Sequence, residues 1–307
     1  MIPSLELSII IVNWNTCDLL RQCLTSVQDN FRAREHLNIE TLVVDNASND
    51  DSRAMVQEYF PWVQLIENAE NVGFAQANNQ GMKRAEGEFL LLLNSDTCLL
   101  PGALQAMLAF IAAHPPVGAC GARLLNADGS LQPSCQPMLT PEREFWRLSF
   151  LDMLLPRATY RMASWPVDQP RQVEIIKGAC LLLRRAALDQ IGWLDEAYFM
   201  YTEEVDLCYR LAQAGWELWW VPQAQVIHYG AASSKQAAEA MYLQLYRSKV
   251  QFYRKFGGEQ RARRFKWLVR LAYWPRLAAA TLIPATATKL GNEKHIYLRL
   301  LAELPKM

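Results

Sequence analysis

Polar side chains that could bind a cation stand where a buried strand is expected to end, at Asn94, Ser95 and Asp96. The preceding residues FLLLL are continuously apolar, which is typical of a strand buried on both faces. A carboxylate at such a strand end could hold a hard divalent cation against a diphosphate. The alternative is a local role, because Asx residues commonly stop strands.

Asp45 poses the same choice at the end of the apolar run 41–44. Its carboxylate could accept a hydrogen bond from a nucleobase N–H or cap the helix that follows. Ser48 and Asn49 are better placed as the cap, and this leaves Asp45 available for recognition.

Three carboxylates cluster where another helix is expected to begin, at Glu203, Glu204 and Asp206, with Thr202 as the N-cap. A helix N-terminus stabilises anions, and this alone would explain them. The same field would keep a general base ionised at neutral pH, where it could take the proton from an attacking hydroxyl.

His228 lies in the apolar segment VIHY and is one of four histidines. A histidine in such a strand is commonly a core residue whose hydrogen bonds are satisfied. Beside a carboxylate-bound Mn²⁺ or Mg²⁺, its imidazole could instead complete the coordination sphere.

Apolar patterning predicts the scaffold that positions these residues. Strand-like runs at 7–12, 41–44, 63–66 and 89–93 alternate with helical patterns. This alternation predicts right-handed crossovers and a doubly wound, mostly parallel α/β sheet. Ligands of such sheets bind beyond the carboxyl ends of the strands, where Asn13 and the polar residues above stand.

Residues 1–234 are predicted to form the catalytic domain, and residues 235–307 a basic, aromatic helical region. Within the first, residues 136–172 contain five prolines and are predicted to be a loop-rich insertion, a candidate lid over the acceptor. Further predicted elements are a turn at 126–129, a strand at 173–183 and strands at 218–221 and 225–229.

The net charge of zero conceals an uneven distribution. Residues after Ser234 include 15 of the 31 Lys and Arg residues but only 4 of the 31 Asp and Glu residues. A basic, aromatic tail fits peripheral contact with an anionic membrane, and packing on the catalytic domain is the alternative. Spanning is not expected, because Arg270, Pro275 and Arg276 interrupt the most apolar stretch. Nucleic acid is not an expected partner, since no recognition module accompanies the charge.

The seven cysteines are scattered and form no CxxC pair, as expected of buried thiols in a reducing cytosol. The first seven residues lack the pattern of a signal peptide. We therefore expect a cytoplasmic protein, peripheral on the cytosolic face of a bacterial inner membrane.

Taken together, these motifs resemble the family-2 glycosyltransferases, especially the rhamnosyltransferase-like branch. The resemblance covers residues 5 to about 235 and includes the spacing of the motifs. It rests on His228 and on the segments SIIIVNWN (8–15), VVDNASND (43–50), NVGFAQANNQG (71–81), NSD (94–96) and 201–210.

The resemblance implies a GT-A fold and inverting transfer from a UDP- or dTDP-sugar, dTDP-rhamnose included, to a glycan or lipid-linked acceptor. It implies that Asp45 recognises the pyrimidine. It also implies that Asp96 and His228 hold the metal and that Glu204 is the base, with Glu203 as the other candidate. The remaining nucleotide-binding candidates are Asn13, Asn71, Gly73, Asn78 and Asn94.

Two departures from the family pattern and two rival functions stay open. Asn94 stands where the family often has aspartate, and Glu203-Glu204 replaces the usual Glu-Asp pair. A glycoside hydrolase would also use paired carboxylates, but it would need neither a nucleotide pocket nor a metal. A catalytically inactive sugar- or nucleotide-binding relative is the second rival. A dinucleotide oxidoreductase is disfavoured, because no GxGxxG follows the first strand.

Overall fold

Continuous apolar runs form the central strands of a ten-stranded mixed sheet in the computed structural model, which describes residues 6–32, 38–155, 157–230, 238–282 and 294–307. Four neighbouring strands are parallel, in the order β3-β2-β1-β4. They are β1 (Leu7–Asn13), β2 (Ile39–Asp45), β3 (Gln64–Glu67) and β4 (Phe89–Asn94).

The sheet continues beyond β4 through β11, β6, β12 and β5, where the pairing is mixed. β6 and β12 are parallel, whereas β11 is antiparallel to β4 and β6, and β5 is antiparallel to β12. The bounds are β5 (Thr97–Leu99), β6 (Val117–Leu125), β11 (Cys180–Arg184) and β12 (Glu217–His228). Short strands complete the structure: β7 (Leu131–Gln132), β8 (Cys135–Gln136), β9 (Arg171–Gln172) and β10 (Ile175–Ile176).

Helices connect the parallel strands and bury their apolar stripes, so that the inner strands are covered on both faces. Leu20 and Leu24 of α1 and all of β1 from Leu7 to Ile11 are inaccessible to solvent. These helices are α1 (Cys17–Arg32), α2 (Ser52–Tyr59), α3 (Phe74–Arg84), α4 (Ala103–Ala113), α6 (Arg185–Ile191) and α7 (Glu203–Gln213).

The predicted α/β class and parallel strands are confirmed, but three details differ. The predicted strand 173–183 is two strands, β10 and β11, and the two strands predicted near 218 and 225 are one, β12. A register shift between Val221 and Gln225 replaces the break. α2 has Asp51 in its N-cap position, so the prediction that Ser48 or Asn49 caps this helix is wrong.

The chain divides into two compact units, Met1–Gln136 with Met162–Gln236, and Pro137–Arg161 with Ala237–Met307. The predicted boundary after Ser234 lies outside the described residues. The predicted insertion 136–172 is divided between the units and contains a helix, α5 (Pro141–Leu148). Thr140 caps it by accepting a hydrogen bond from the Arg143 amide at 3.1 Å, a signal visible in the sequence as Thr-Pro-Glu.

The second unit consists of α5, α8 (Ala238–Leu282) and α9 (Lys294–Glu303), with a 3-10 turn after α5. α8 is broken at Gly258, whose φ of 70° is left-handed. The interior of this second unit is aromatic, with Phe252, Tyr253 and Phe265 buried. None of the helices within the described ranges is long and apolar enough to cross a bilayer.

A buried ion pair joins α5 to α8 in this unit. The carboxylate of Glu144, which is 3% exposed, accepts from Lys249 at 2.5 Å and from Arg147 at 2.8 Å. Burial alone would raise the pKa of Glu144, but the two cations outweigh it and bring that pKa to about 2. This pair therefore stabilises the folded state above the ordinary glutamate pKa, and the stabilisation is lost as the pH falls towards 2.

We predict that Lys249→Met lowers the free energy of unfolding by about 3–5 kcal/mol at pH 7, because it leaves the Glu144 charge buried without its nearest cation. Urea denaturation measures the change. Lys255→Met, at an exposed site of the same helix, should stay within about 0.5 kcal/mol of wild type. The deficit of Lys249→Met should shrink as the pH falls from 5 towards 2, and equal stabilities at pH 7 would contradict the assignment.

Candidate active site

Polar residues end three adjacent parallel strands at one edge of the sheet. Asn13 of β1 is in register with Asp45 of β2, and Asn94 of β4 is in register with Val12, one residue earlier. The sequence placed these side chains at strand ends, and the parallel pairing brings them together, as expected for a ligand edge.

The Asp45 carboxylate is buried and organises the loop after β2. Its Oδ1 accepts from the Ser48 amide at 2.9 Å and from Arg53 Nε at 2.7 Å, and its Oδ2 accepts from Asn13 Nδ2 at 3.1 Å. Burial alone would raise the pKa of Asp45, but these hydrogen bonds outweigh burial and lower it. Asp45 is thus a fixed anion, and pyrimidine recognition by it remains a prediction.

Asn46, which directly follows β2 and to which the sequence assigned no role, ties β2 to the loop that contains Asn71. Its Nδ2 donates to Asn71 Oδ1 at 2.8 Å, and its Oδ1 accepts from the Val72 amide at 3.1 Å and from Asn68 at 3.1 Å. Asn71 Oδ1 also accepts from the Gly73 amide at 3.0 Å. Asn71 and Gly73, both predicted to bind the nucleotide, are therefore held in one hydrogen-bonded turn.

Gly73 permits a close approach of two loops at the start of α3. Its φ is 87°, and a Cβ there would lie 2.5 Å from the Phe199 carbonyl oxygen. That oxygen accepts from the Phe74 amide at 2.7 Å. Gly73 thus has a clear steric role next to the segment that leads into α7, whether or not it contacts a nucleoside.

Two consecutive asparagines of α3 differ in their partners. Asn78 is buried and donates to the carbonyl of Phe74 in its own helix at 2.9 Å. Asn79 donates to the Leu194 carbonyl at 2.8 Å and to Glu196 at 2.9 Å, and accepts from the Leu194 amide at 3.2 Å. Asn79, which the sequence did not mark, anchors the loop before α7.

Asp96 and His228 meet where β5 pairs with β12. Asp96 Oδ1 lies 3.3 Å from His228 Nε2, and Asn94 Nδ2 lies 3.5 Å from the same nitrogen. Backbone pairing fixes this approach, since the Tyr229 amide donates to the Asp96 carbonyl at 2.9 Å. The structure therefore brings together the two predicted metal ligands from distant parts of the chain.

The pair fits a divalent cation. Asp96 Oδ1 and His228 Nε2, which are 3.3 Å apart, are close enough that both would hold the same ion. Carboxylate oxygen and imidazole nitrogen are both ligands of Mn²⁺. No group of three His, Cys, Asp or Glu side chains suited to a metal occurs in the described part of the chain. Remaining coordination positions would belong to ligands other than such side chains, diphosphate and water among them.

Glu203 and Glu204 open α7 as predicted, but their electrostatics differ from expectation. Thr202 occupies the N-cap position with a left-handed φ of 72° and makes no side-chain capping bond. Burial, followed by the charge of Glu204, raises the pKa of Glu203 well above its ordinary value. Burial also raises the pKa of Glu204, although backbone N–H groups and Lys177 oppose the rise. The helix N-terminus therefore opposes the effect of burial on the pKa of Glu204 but does not cancel it, and an ionised base at neutral pH stays a prediction.

The two glutamates are not equivalent. Glu203 is 5% exposed, whereas Glu204 is only partly buried and lies beside Gly178 and within the field of Lys177. Within the described residues, Oε2 of each side chain is enclosed and has no hydrogen-bond donor. Of the two, Glu204 has the more exposed side chain and a nearby cation, Lys177, which favours its charged form.

A short segment after β6, residues 132–134, is hydrogen-bonded to both Lys177 and His228. Lys177 donates from its amide to the Ser134 carbonyl at 2.9 Å and from Nζ to the Pro133 carbonyl at 2.6 Å. The adjacent Gln132 is hydrogen-bonded to His228. Residues 132–134 therefore link the surroundings of Glu204 to those of the Asp96–His228 pair.

A mixed sheet with strand-end carboxylates, followed by a helix that opens on two glutamates, is the arrangement expected of a GT-A fold. Residues 8–162 match the family model of Glycosyl transferase family 2, and residues 89–291 match that of Glycosyl transferase family group 2. The chain belongs to glycosyl transferase family 2 and is a glycosyltransferase of its rhamnosyltransferase-like branch.

Known proteins agree with this assignment. An N-acetylglucosaminyl-diphospho-decaprenol L-rhamnosyltransferase of Mycobacterium tuberculosis is 33% identical over 211 residues, which cover 64% of this chain and 68% of the relative. A mannosyltransferase from Pyrobaculum calidifontis, solved with GDP-Man and Mn²⁺, has a TM-score of 0.58 at 19% identity and matches 98% of this chain and 86% of its own. GalNAc-T7, solved with UDP, GalNAc and Mn²⁺, has a TM-score of 0.57 at 17% identity over 73% of this chain and 43% of its own.

Proposed function

We propose that this glycosyltransferase moves a sugar, rhamnose by preference, from a dTDP- or UDP-sugar to a hydroxyl of a lipid-linked glycan acceptor with inversion. The observation that carries the proposal is that residues 132–134 are hydrogen-bonded both to Lys177, whose charge acts on Glu204, and to His228 of the Asp96–His228 pair. The name of the mycobacterial relative supports both the sugar and the lipid-linked acceptor.

In the proposed reaction, the acceptor oxygen attacks the anomeric carbon as the bond from that carbon to the diphosphate oxygen breaks. Glu204 takes the hydroxyl proton, and the diphosphate leaves with the bonding electrons. Asp96 and His228 would hold Mn²⁺ or Mg²⁺, which when bound neutralises charge on the leaving diphosphate. Because one displacement suffices, no covalent sugar–enzyme intermediate is required.

The surroundings of the base suit this role. A carboxylate with a raised pKa accepts a proton more readily than an ordinary one, since proton-transfer efficiency rises as the pKa of the base approaches the working pH. Glu203, which is more deeply buried, would hold its proton and leave the charge on Glu204. Cell-surface polysaccharide synthesis is the process we propose for such a transfer.

We predict that purified protein releases UDP or dTDP from one nucleotide sugar of a panel that includes dTDP-rhamnose, and does so only with Mn²⁺ or Mg²⁺. Asp96→Ala should abolish metal-dependent donor binding in calorimetry. The fold should survive although Asp96 is buried, because its backbone carbonyl, which accepts from the Tyr229 amide, is retained by alanine. Asp189→Ala, at an exposed site of α6, serves as a folded control for expression and stability. Full activity of Asp96→Ala, or of wild type in chelator, would contradict the metal role.

We predict that Glu204→Gln lowers kcat by about two to four orders of magnitude with donor binding nearly unchanged, since only proton removal is lost. Glu203→Gln is the matched variant and should cost less. In wild type, kcat should rise with pH, and its acid limb should lie above the ordinary glutamate pKa because burial raises the pKa of Glu204. If Glu203→Gln lowered kcat more than Glu204→Gln, Glu203 would be the base.

One exposed face of α8 supports peripheral contact with an anionic membrane at the cytosolic face of a bacterial inner membrane. Trp267 and Trp274 are 59% and 67% exposed, and Leu271 is 45% exposed. Exposed Arg263 and Arg270 alternate with them at helical spacing. Such a mixture of tryptophan and arginine suits the interface between headgroups and acyl chains.

The opposite face of α8 shows where the other aromatic residues of the basic tail go. Phe265, Val269 and Tyr273 are buried within the second unit. Packing and membrane contact, the two alternatives for the tail, therefore apply to different residues. Some of its aromatic side chains pack inside the second unit, whereas Trp267 and Trp274 are exposed and available to a membrane.

We predict that the protein co-sediments with vesicles containing phosphatidylglycerol and not with neutral vesicles, and that binding weakens with salt. Replacing both Trp267 and Trp274 by serine should weaken binding about tenfold or more, because two large apolar surfaces no longer leave water. Tyr59→Ser, at an exposed aromatic of the first unit, should have no effect. If the double variant co-sedimented with vesicles as well as wild type does, this face of α8 would not be the membrane contact.

A further inference from the structure

His228 makes one short hydrogen bond that the proposed chemistry has not used. Its Nδ1 lies 2.6 Å from Gln132 Oε1. An amide oxygen has no proton to give, so Nδ1 must carry the N–H of this bond. In a neutral imidazole the lone pair then resides on Nε2, the nitrogen that lies 3.3 Å from Asp96 Oδ1.

Gln132 is itself held so that its oxygen faces His228. Its Nε2 donates to the backbone carbonyl of His228 at 3.1 Å and to Asn126 Oδ1 at 2.9 Å. Because both of these partners are acceptors, reversing the amide would break both bonds. Asn126 is in turn bonded to Ser130, its Nδ2 donating to the hydroxyl at 2.9 Å.

Backbone structure supports the same geometry. Gln132 lies on β7, which pairs with the end of β6, and His228 ends β12, which pairs with β5 beside Asp96. The turn between β6 and β7 is closed by the Asn126 amide donating to the Ser130 carbonyl at 2.8 Å. Gln132 therefore reaches His228 from an element whose position does not depend on Asp96.

We propose that Gln132 is a positioning residue that fixes the Nδ1–H tautomer and the ring orientation of His228, so that Nε2 is presented with Asp96 as a ligand for a divalent cation. The proposal rests on the proposed function, because it takes Asp96 and His228 as the metal pair. A hydrogen bond from the second ring nitrogen typically contributes 10–100-fold to metal affinity. Gln132 touches neither the metal nor the sugar, and its contribution passes through His228.

The donor and acceptor atoms of Gln132 separate this role from a merely structural one. Gln132→Glu keeps an acceptor for Nδ1–H and loses both donated bonds, whereas Gln132→Leu loses the acceptor as well. A structural role through the donated bonds predicts that the two variants suffer equally. A positioning role through Oε1 predicts that glutamate restores what leucine loses.

Mn²⁺ binding to the full chain, measured by electron paramagnetic resonance of free Mn²⁺ with UDP and separately with dTDP, tests the proposal. We expect Gln132→Leu to weaken affinity 10–100-fold, and Gln132→Glu to stay within about threefold of wild type. Gln223→Leu is the matched control, because Gln223 lies on β12 with His228 and, like Gln132, donates to a backbone carbonyl, in this case that of Asp168. His228→Ala should lose affinity at least as far as Gln132→Leu.

A second measurement needs neither metal nor activity. With only four histidines in the chain, nitrogen-15 spectra of the imidazole rings can report the tautomer of His228 directly. We expect Nδ1–H in the metal-free wild type and in Gln132→Glu, and a shift towards Nε2–H in Gln132→Leu.

Wild-type affinity in Gln132→Leu, equal losses in the leucine and glutamate variants, or an Nε2–H tautomer in the metal-free wild type would each overturn the proposal. The wild-type spectrum decides even if Gln132→Leu fails to fold. If His228→Ala also binds Mn²⁺ like wild type, the metal pair of the proposed function is wrong. If Gln132→Leu binds Mn²⁺ like wild type but His228→Ala does not, the positioning role of Gln132 is wrong and the metal pair stands.

Discussion

The antiparallel pairing of β5 with β12 is the constraint on which the site depends. His228 is in register with Thr97, and the Tyr229 amide donates to the Asp96 carbonyl at 2.9 Å. This pairing brings the carboxylate of Asp96, which precedes β5, next to His228, which ends β12. The side-chain separation follows from the backbone, because neighbouring strands place their residues at a fixed spacing.

Burial acts to raise the pKa of Asp45 at this edge of the sheet and of Glu203 and Glu204 at the start of α7, and hydrogen bonds decide whether that rise is overcome. The carboxylate of Asp45 is buried with three hydrogen-bond donors, and its pKa falls. The carboxylates of Glu203 and Glu204 are enclosed beside each other with little compensation, and their pKa values rise. Enclosed carboxyl groups thus differ in pKa, and hydrogen bonding decides the direction of the shift.

The sequence predicted what depends on local pattern. Apolar runs identified the parallel strands, and polar residues at their ends identified the edge of the sheet where the site lies. Gln132, Asn46 and Asn79 were missed, because each acts through partners far away in the chain and each belongs to a residue type that is common on surfaces. The raised pKa of Glu203 was missed for a related reason, since a helix N-terminus is visible in a sequence whereas the burial that overcomes it is not. Helix α5 was missed despite its Thr-Pro start, because the prolines around it favoured a loop.

The contact between Gly73 and Phe199 bears on attempts to change the specificity of this enzyme. The loop from Asn68 to Gly73 is an obvious segment to exchange with that of a relative, yet it is held by Asn46 and lies against the Phe199 carbonyl. That carbonyl precedes α7 by only a few residues. A grafted loop with any side chain at position 73 would push on the segment just before the two glutamates of α7, so the exchange would disturb the start of that helix as well as the loop. Loop exchange here is safest when glycine at 73 and asparagine at 46 are both retained.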